Sequence, residues 1–525
     1  MKSMKPITKI TKILVNFKNF PLFYPKIFGM TLVLLLFVLS LYLRLSYLNR
    51  PLGDRHEWVT AHALITIENF KNYPVKQHLF RLISTYPVEG NFFATQPSII
   101  RILDNNGVGY YTTYPPFSSI FAYVFFRIAN MEINILNIRI LNIILHGVAT
   151  VFVFLTVYQL SFKRKLIASL ASSVFYIFTA SHLWFYGFTY SWDIFFYYLV
   201  VFNLYILTLI LEKNEKDKSA NKLIFLFAIF NGLTIYTEFQ GIFLAVSVVV
   251  LLHIFKSKFK KILTKVIVIS SLIPVLITVA QYGTISGLKD YFSVMFYKFF
   301  VTYGSFGSNP KIIEDLGNSW DLYKTLLSPS MILIILFLVL YLFLGFKKKL
   351  FSKNQLLLIF ILLFVIIQHC FFLFSDVAAH EFSSLKLTLL MTYLIGFIIG
   401  NISFGANSSL KIKEYFLIVL VFLAMFQYTR KSIDIFKWFA GESSNFRYLH
   451  LADEVNKTLA KDELLFFNIT VPPQFSFYSK RNYFEFRDLN QAKIQIRNTN
   501  LKKGKFFKLN ENMEIIGITE IDLKQ

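Results

Sequence analysis

Long apolar runs recur along most of the chain, and they constrain its fold more than any other feature. A helix that crosses a bilayer needs about 17 to 25 apolar residues. Eleven runs of roughly this length lie at residues 28–48, 133–158, 166–182, 192–211, 222–237, 240–256, 262–281, 329–346, 355–373, 384–402 and 412–428. Because lipid offers no hydrogen bonds, the backbone of each run must bond within itself as a helix. The sequence therefore predicts an all-α polytopic membrane protein with about 11 transmembrane helices.

Composition excludes the soluble classes of protein. The chain is 55% hydrophobic and only 16% charged, outside the range of soluble globular domains. Its net charge of +24 would suggest nucleic-acid binding in a soluble protein. Here, however, the Lys and Arg residues cluster between the apolar runs. They are therefore a topology signal, and no nucleic-acid partner is expected.

The basic residues predict on which side of the membrane each loop lies. If the Lys-rich segment 1–27 is cytoplasmic, the loops that fall inside carry basic residues at 163–165, 213–222, 256–265, 347–349 and 411–413. The short outer loops near 182–191, 237–240 and 374–383 contain no Lys or Arg. Every short loop thus obeys the positive-inside rule. We expect an integral protein of the plasma membrane, with a cytoplasmic N-terminus and an extracytoplasmic C-terminus.

Three large segments then face outward. They are a first loop at 49–132, a second loop at 282–328 and the C-terminal stretch 429–525, which leaves 28–428 as the transmembrane domain. The apolar stretch Tyr114–Ile128 lies within the first loop, and the connector that follows it has no basic residue. We interpret this stretch as a re-entrant or interfacial helix that lines a cavity.

The C-terminal stretch differs in composition from the rest of the chain. Leu449, Val455 and Leu459 have helical spacing, and strand-like runs follow at 464–467, 475–478 and 515–518. The pattern predicts a small extracytoplasmic α/β domain.

Charged residues gather at the predicted outer ends of the helices, where they are informative because charge is costly in a membrane. Directly after the first span the chain reads Arg50-Pro51-Leu52-Gly53-Asp54-Arg55-His56-Glu57-Trp58. Such a cluster can supply a base, a phosphate clamp and an aromatic platform for a sugar, although a solvated loop with interfacial anchors is an equal alternative. The other outer ends carry Asp193, Glu238, Asp376, His380, Glu381 and Lys386 on the same side.

Several of these residues also have a purely structural explanation. Asp193 is as well placed to cap a helix N-terminus as to take part in catalysis, and the two interpretations are equally open for Glu238. Arg139, Asn142 and His146 recur on one face of the second span. Hydrogen bonding between helices is the more frequent reason for such a stripe, and contact of Arg139 with a lipid phosphate is the alternative.

The order of these features resembles the GT-C superfamily of membrane glycosyltransferases. A basic N-terminus, one span and an acidic cluster precede Tyr110-Tyr111-Thr112-Thr113-Tyr114-Pro115-Pro116-Phe117, which leads into an apolar helix. The likeness is to family 39, the protein-mannosyltransferase and aminoarabinose-transferase type. Asp54 to Phe70, with His56, Trp58 and Ala61-His62-Ala63-Leu64, is similar to the first-loop signature of bacterial and archaeal members. The shared layout covers roughly residues 28 to 400, and its specific motifs are short.

This resemblance implies an inverting transfer of a hexosyl or pentosyl group from a polyprenyl-phosphate donor. The acceptor is a lipid, glycan or protein on the non-cytoplasmic face. In that family a first-loop carboxylate is the general base, which maps here to Asp54 or Glu57. The usual acidic doublet is adjacent, whereas this chain inserts Arg55 and His56, so the choice between the two stays open.

The resemblance also implies further binding residues. Outer-loop acids of some relatives bind a divalent cation such as Mg or Mn, or orient the acceptor, and Asp193 is the matching candidate. Family members often have a Lys near the position of Glu238. This chain has no Lys there. The expected donor-binding and lipid-phosphate-binding residues are Arg55, His56, Arg101, Tyr114, Arg139, Glu238, His380 and Lys386.

Two other functions fit a polytopic chain. A transporter or lipid-linked sugar flippase would be expected to show internal repeats, broken helices and charges near the bilayer midplane. The collection of charges at one face counts against it. A polysaccharide polymerase or ligase is usually organised around a large late external loop, and the 282–328 loop is modest beside the first loop.

Overall fold

The computed structural model describes residues 24–86, 101–103, 108–161, 163–213, 217–304, 351–372, 384–401, 408–442, 446–461, 463–485 and 503–522. Helices dominate these segments. Up to residue 442 the elements are α1 (Pro25–Leu45), α2 (Trp58–Asn72), α3 (Val75–His78), β1 (Arg101–Leu103), β2 (Gly109–Tyr111), α4 (Phe117–Ile128), α5 (Ile135–Leu160), α6 (Lys165–Phe178), α7 (Ala180–Phe188), α8 (Trp192–Glu212), α9 (Lys218–Ile235), α10 (Gly241–Ile254), α11 (Lys260–Ser286), α12 (Leu288–Gly304), α13 (Lys353–Phe372), α14 (Ser384–Asn401) and α15 (Ser408–Glu442).

Five of the described helices are long and apolar enough to cross a membrane, namely α1, α5, α8, α11 and α14. The pair α6 and α7 makes a sixth candidate, with a 60° bend between its two halves. The helices α9, α10 and α13 coincide with predicted spans but are shorter in their apolar part. The predicted span at 329–346 lies outside the described residues. The expectation of about 11 spans therefore stays a prediction.

The helix α4 has 12 residues and is too short to cross a bilayer. It follows the short antiparallel hairpin of β1 and β2, in which Arg101 pairs with Tyr111. Nearby, Arg81 ties the first loop to the end of α11, because its Nε donates to the Gln281 carbonyl at 2.7 Å and its Nη2 to the Thr284 hydroxyl at 2.6 Å. This part of the first loop thus rests on α11.

Small residues allow α14 to lie close to its neighbours. A β-carbon added at Gly396 would collide with Ser172 of α6, and one added at Gly400 with Ser161 at the end of α5. Lipid provides little hydrophobic force between helices, so close packing of this kind is a main source of their association.

The C-terminal unit begins after α15 and has a small core of its own. It comprises α16 (Arg447–Thr458), β3 (Leu464–Phe467), α17 (Pro473–Ser479), β4 (Phe484–Glu485), β5 (Lys503–Leu509) and β6 (Ile515–Asp522). Its described strands form a sheet in the order β4-β3-β5-β6, in which β3 runs parallel to β4 and β5 and only the β5–β6 pair is antiparallel. Residues of α16 and α17 pack on this sheet, among them Val455 and Phe475 against Phe467 and Phe507.

Two features of this region differ from the sequence prediction. The run 475–478, predicted as a strand, lies in the helix α17. Pro473 occupies the first turn of α17, where its missing N–H costs nothing and its fixed φ favours a helix. The predicted domain boundary at 429 falls inside α15, which continues to Glu442 as one helix of 35 residues.

Candidate active site

Glu57 lies at the N-terminus of α2 and is fully buried between two guanidinium groups. Its Oε2 accepts from Arg50 Nη2 at 2.8 Å and from the backbone N–H of Gly53 at 2.7 Å. Its Oε1 accepts from Arg139 Nη2 at 2.8 Å. Both carboxylate oxygens are thus engaged, and the side chain is 0% exposed. This arrangement ties the chain after α1 to α5.

Arg139 is committed to the same junction. Its Nη1 donates to the carbonyls of Leu48 and Arg50 at 2.7 and 2.6 Å, directly after α1 ends. The guanidinium therefore satisfies two carbonyls of the turn that follows α1. Its Nη2 donates to Glu57 Oε1 at 2.8 Å and to the Pro51 carbonyl at 3.5 Å, so both terminal nitrogens serve the segment between α1 and α2.

The other polar residues on this face of α5 also join helices. Asn142 Nδ2 donates to the carbonyls of Phe185 and Thr189, both at 2.9 Å. His146 Nδ1 lies 3.1 Å from Arg44 Nη2 of α1. The stripe of Arg139, Asn142 and His146 thus makes the interhelical hydrogen bonds that its spacing favours.

Asp54 lies only three residues before Glu57 but meets opposite surroundings. Its side chain is 37% exposed. The Oδ1 atom accepts from Arg447 Nη2 at 2.7 Å and from the Tyr448 hydroxyl at 2.5 Å, both from α16 of the C-terminal unit. Among the described residues, no donor reaches Oδ2. Asp54 is therefore an accessible carboxylate with one oxygen held and the other open.

A tight turn separates the two acids. The N–H of His56 donates to the Asp54 carbonyl at 2.8 Å, and His56 has a φ of 54°, in the left-handed region. Such a conformation costs a non-glycine residue about 1 to 3 kcal/mol. Arg55, inside the turn, stacks its guanidinium over Trp438 and Phe439 near the end of α15, at 4.6 and 4.4 Å from the ring centroids. The side chains of Asp54, Arg55 and Glu57 therefore reach different partners, although they are close in the sequence.

Stacked aromatic rings line the start of α8. Tyr114 and Trp192 lie 4.4 Å apart between ring centroids, and Tyr111 stacks on Tyr114 at 5.7 Å with an angle of 2° between the rings. His62 continues the row, 5.5 Å from Tyr111, and Trp58 lies 6.0 Å from His62. Tyr114 and Trp58 are half-buried. The sequence marked Trp58 and Tyr114 separately, but only the fold joins them in one row.

The remaining candidate residues lie in other places. Asp193 follows Trp192 in the first turn of α8 and is 3% exposed, while the cap of that helix is Ser191, whose Oγ accepts from Ile194 N at 3.2 Å. Glu238, 4% exposed, lies in the turn between α9 and α10. Lys386 at the start of α14 has its Nζ 2.7 Å from His369 Nδ1 of α13.

Two candidates are not fully described. The structure gives only the backbone of Arg101, at the start of β1, and His380 lies outside the described residues. A divalent cation would need several ligands together. The described part of the chain contains no group of three or more His, Cys, Asp or Glu side chains that could hold one. Asp193 therefore lacks a described ligand set, and the mechanism proposed below runs through other side chains.

By sequence alone, the chain matches no protein-family model and no curated protein. Its structure, however, is similar to solved membrane proteins. ArnT from Cupriavidus metallidurans, in a crystal structure bound to undecaprenyl phosphate, aligns over 91% of this chain and 93% of its own, with a TM-score of 0.58 and 11% identity.

A second similar structure is the archaeal oligosaccharyltransferase AglB from Archaeoglobus fulgidus, in complex with an inhibitory peptide and a dolichol-phosphate. It aligns over 93% of this chain and 70% of its own, with a TM-score of 0.56 and 11% identity. At this level of identity the comparisons establish the fold. The chain has the fold of GT-C membrane glycosyltransferases, and the resemblance predicted from its sequence is confirmed at that level.

Proposed function

We propose that this chain is a membrane glycosyltransferase that takes a hexosyl or pentosyl group from a polyprenyl-phosphate donor. The acceptor is a lipid, glycan or protein of the cell envelope, on the non-cytoplasmic face of the plasma membrane. The shared fold and the polyprenyl phosphate and dolichol-phosphate bound to ArnT and AglB support the donor class. The N-terminus is then cytoplasmic and the C-terminal unit extracytoplasmic.

The observation that carries the proposal is the contrast between the two first-loop acids. The Asp54 side chain is 37% exposed and receives no donor on Oδ2 from the described residues, whereas both oxygens of Glu57 are bonded in a fully buried site. A general base must come within hydrogen-bond reach of the proton that it removes. We therefore assign Asp54 as the base and Glu57 as the residue that holds its loop.

The reaction follows from this assignment. Asp54 Oδ2 takes the proton of the acceptor hydroxyl as the acceptor oxygen forms a bond to the anomeric carbon. The bond from that carbon to the phosphate oxygen breaks, and the phosphate leaves with the electron pair. Attack opposite the leaving group inverts the anomeric configuration.

Two further elements support binding of the donor. Arg55 follows Asp54 in the chain, and its guanidinium lies over Trp438 and Phe439 of α15, where it is suited to meet the phosphate of a membrane-embedded carrier. In the aromatic row Tyr114 and Trp58 are half-buried, so these two rings are the ones on which a sugar can stack. A divalent cation at Asp193 and phosphate contacts from Arg101, His380 or Lys386 remain proposals of the family resemblance.

The test is transfer from a panel of radiolabelled polyprenyl-phosphate sugars by the purified protein in lipid. Loss of a general base costs about 10² to 10⁴ in rate. We expect Asp54→Asn to lower kcat by that factor while the protein stays folded, with only a small fall in melting temperature from the lost bond to Arg447. Glu57→Gln should instead lower the melting temperature. Full activity of Asp54→Asn would contradict the assignment.

One observation favours a different function. The span formed by α6 and α7 is broken, with a 60° bend, and broken helices are common in transporters. A flippase for lipid-linked sugars is therefore the second candidate. Protein that scrambles labelled lipid between leaflets, and transfers sugar from no donor in the panel, would favour it over the transferase.

A further inference from the structure

Two consecutive residues of the C-terminal unit meet one oxygen of Asp54 from far along the chain. Arg447 and Tyr448 are separated from Asp54 by 393 and 394 positions in the sequence. Both donate to Oδ1, and Arg447 Nη2 also lies 3.0 Å from the Tyr448 hydroxyl. The three side chains form a closed triangle at the surface of the first loop.

The C-terminal unit grips the loop at the two residues before Asp54 as well. The Tyr478 hydroxyl accepts from the backbone N–H of Leu52 at 2.5 Å, and Gln474 Nε2 donates to the carbonyl of Gly53 at 2.9 Å. Gln474 and Tyr478 both belong to α17. Three successive loop residues are therefore bonded to two helices that share one small core.

A third contact lies further along the first loop. Lys480 Nζ is 2.7 Å from Glu68 of α2, and Asn482 Oδ1 accepts from the backbone N–H of Tyr86 at 2.8 Å. These bonds are remote from Asp54. They fix the orientation of the whole unit on the loop, so Arg447 and Tyr448 approach the carboxylate in a defined direction.

The chemistry of the pair suits a carboxylate that must be held in one orientation. Charge-assisted hydrogen bonds are short and directional. Burial and the bond to Asp54 raise the pKa of Tyr448 to about 12, so its hydroxyl is protonated and remains a donor at neutral pH. With both donors on Oδ1, the rotation of the carboxylate is restricted, and none of the described residues donates to Oδ2.

We infer that Arg447 and Tyr448 are positioning residues that hold Asp54 in the orientation in which its free oxygen accepts the proton of the acceptor. The inference rests on the proposed function, in which Asp54 is the base. It assigns a role to the C-terminal unit beyond covering the first loop. In this proposal the first loop and the C-terminal unit complete the active site together.

The variants Tyr448→Phe and Arg447→Gln test the inference through kinetics. A misplaced catalytic group costs up to about a hundredfold in rate. We expect either variant to lower kcat about ten- to a hundredfold with little change in the KM for the donor, because neither residue contacts the donor in the proposal. Arg447→Lys keeps the charge and should recover part of the loss.

The control is Lys505→Gln, within the same unit but away from Asp54. Lys505 Nζ donates to the Thr458 carbonyl at 2.8 Å, and its removal tests damage to the unit alone. We expect wild-type kcat from this variant. A loss equal to that of Tyr448→Phe would mean that any damage to the unit has this effect, and would overturn the positioning role.

A second measurement separates this inference from the proposed function. Melting temperatures of Asp54→Asn, Arg447→Gln and the double variant form a cycle that reports whether the two side chains interact, with or without transfer activity. Non-additive shifts are expected, and additive shifts overturn the contact. Wild-type kcat in Tyr448→Phe and Arg447→Gln overturns the positioning role alone. Failure of the wild-type protein to transfer from any donor overturns the proposed function and the inference that rests on it.

Discussion

Asp54 and Glu57 show how far single residues can be interpreted from sequence. Both are acids in a polar loop after a span, and the sequence left open which of them is the base. Their environments are set by Arg139, 82 positions beyond Glu57, and by Arg447, 393 positions beyond Asp54. No local pattern encodes partners at that distance, so the presence of the cluster could be predicted but not the division of roles within it.

At this scale we expect Glu57→Gln to destabilise the protein by about 3 to 5 kcal/mol, because it leaves Arg50 and Arg139 buried without a counter-charge. Thermal unfolding in detergent measures the change. The control is Asp217→Asn, an acid 35% exposed in a surface pair with Lys213, which should leave the melting temperature nearly unchanged. Equal effects of the two substitutions would contradict the structural role of Glu57.

His56 offers a second residue-scale prediction. Its φ of 54° suits glycine and is unfavourable for a β-branched residue. We expect His56→Val to lower the free energy of unfolding by about 1 to 3 kcal/mol, and His56→Gly to lower it less. Unfolding curves of the two variants decide the matter, and a more stable valine variant would refute the strained turn.

Among the elements, apolar periodicity predicted the helices well and their interruptions poorly. The run 166–182 reads as one span, yet the helix breaks at Thr179, whose φ of −64° and ψ of 138° are extended. No proline or glycine marks the break. The buried Thr179 hydroxyl donates to the Phe175 carbonyl at 2.5 Å, and the Thr179 N–H donates to the same carbonyl at 3.1 Å, so the residue at the break is held to the last turn of α6. At 475–478 the aromatic residues suggested a strand, whereas the two prolines before them favour the helix that forms.

Packing between elements gives the next prediction. Gly396→Ala should destabilise the contact of α14 with α6 and α5 by about 1 to 3 kcal/mol, because the new methyl group meets Ser172 and Val157. Gly441→Ala is the matched control, since a β-carbon there meets nothing within 4 Å. We expect it to be neutral or stabilising by up to about 1 kcal/mol. Thermal unfolding measures both variants. If Gly441→Ala were less stable than Gly396→Ala, the close packing described for α14 would be wrong.

Over the whole molecule, the sequence predicted the membrane class, the GT-C fold and a separate C-terminal unit. It did not predict how that unit docks on the first loop. The reason is that docking depends on Gln474, Tyr478 and Lys480, which are ordinary polar residues in the sequence and gain meaning only from the loop opposite them. Apolar spans and basic loops alternate many times, so the sequence predicts them. A docking surface is formed by single contacts that no repeated pattern indicates.

A charge exchange tests the docking as a whole. Lys480→Glu places a like charge against Glu68 and should weaken the contact, which hydrogen exchange of α16 and α17 would report as faster exchange. Adding Glu68→Lys restores an opposite pair and should restore slow exchange. If the double variant exchanges as fast as Lys480→Glu, the ion pair does not hold the two surfaces together.

The triangle of Asp54, Arg447 and Tyr448 has a consequence for the order in which the site forms while the chain is synthesised. Asp54 is synthesised 393 residues before Arg447. Its carboxylate therefore lacks this partner while the helices between them insert into the membrane. A nascent chain that stops before Arg447 would contain Asp54 and the membrane helices. It would lack the two side chains that orient the Asp54 carboxylate. On the proposed role of Arg447 and Tyr448, assembly of the site is a late event in biogenesis, and chains released before Arg447 transfer sugar at least about ten- to a hundredfold more slowly than the full chain.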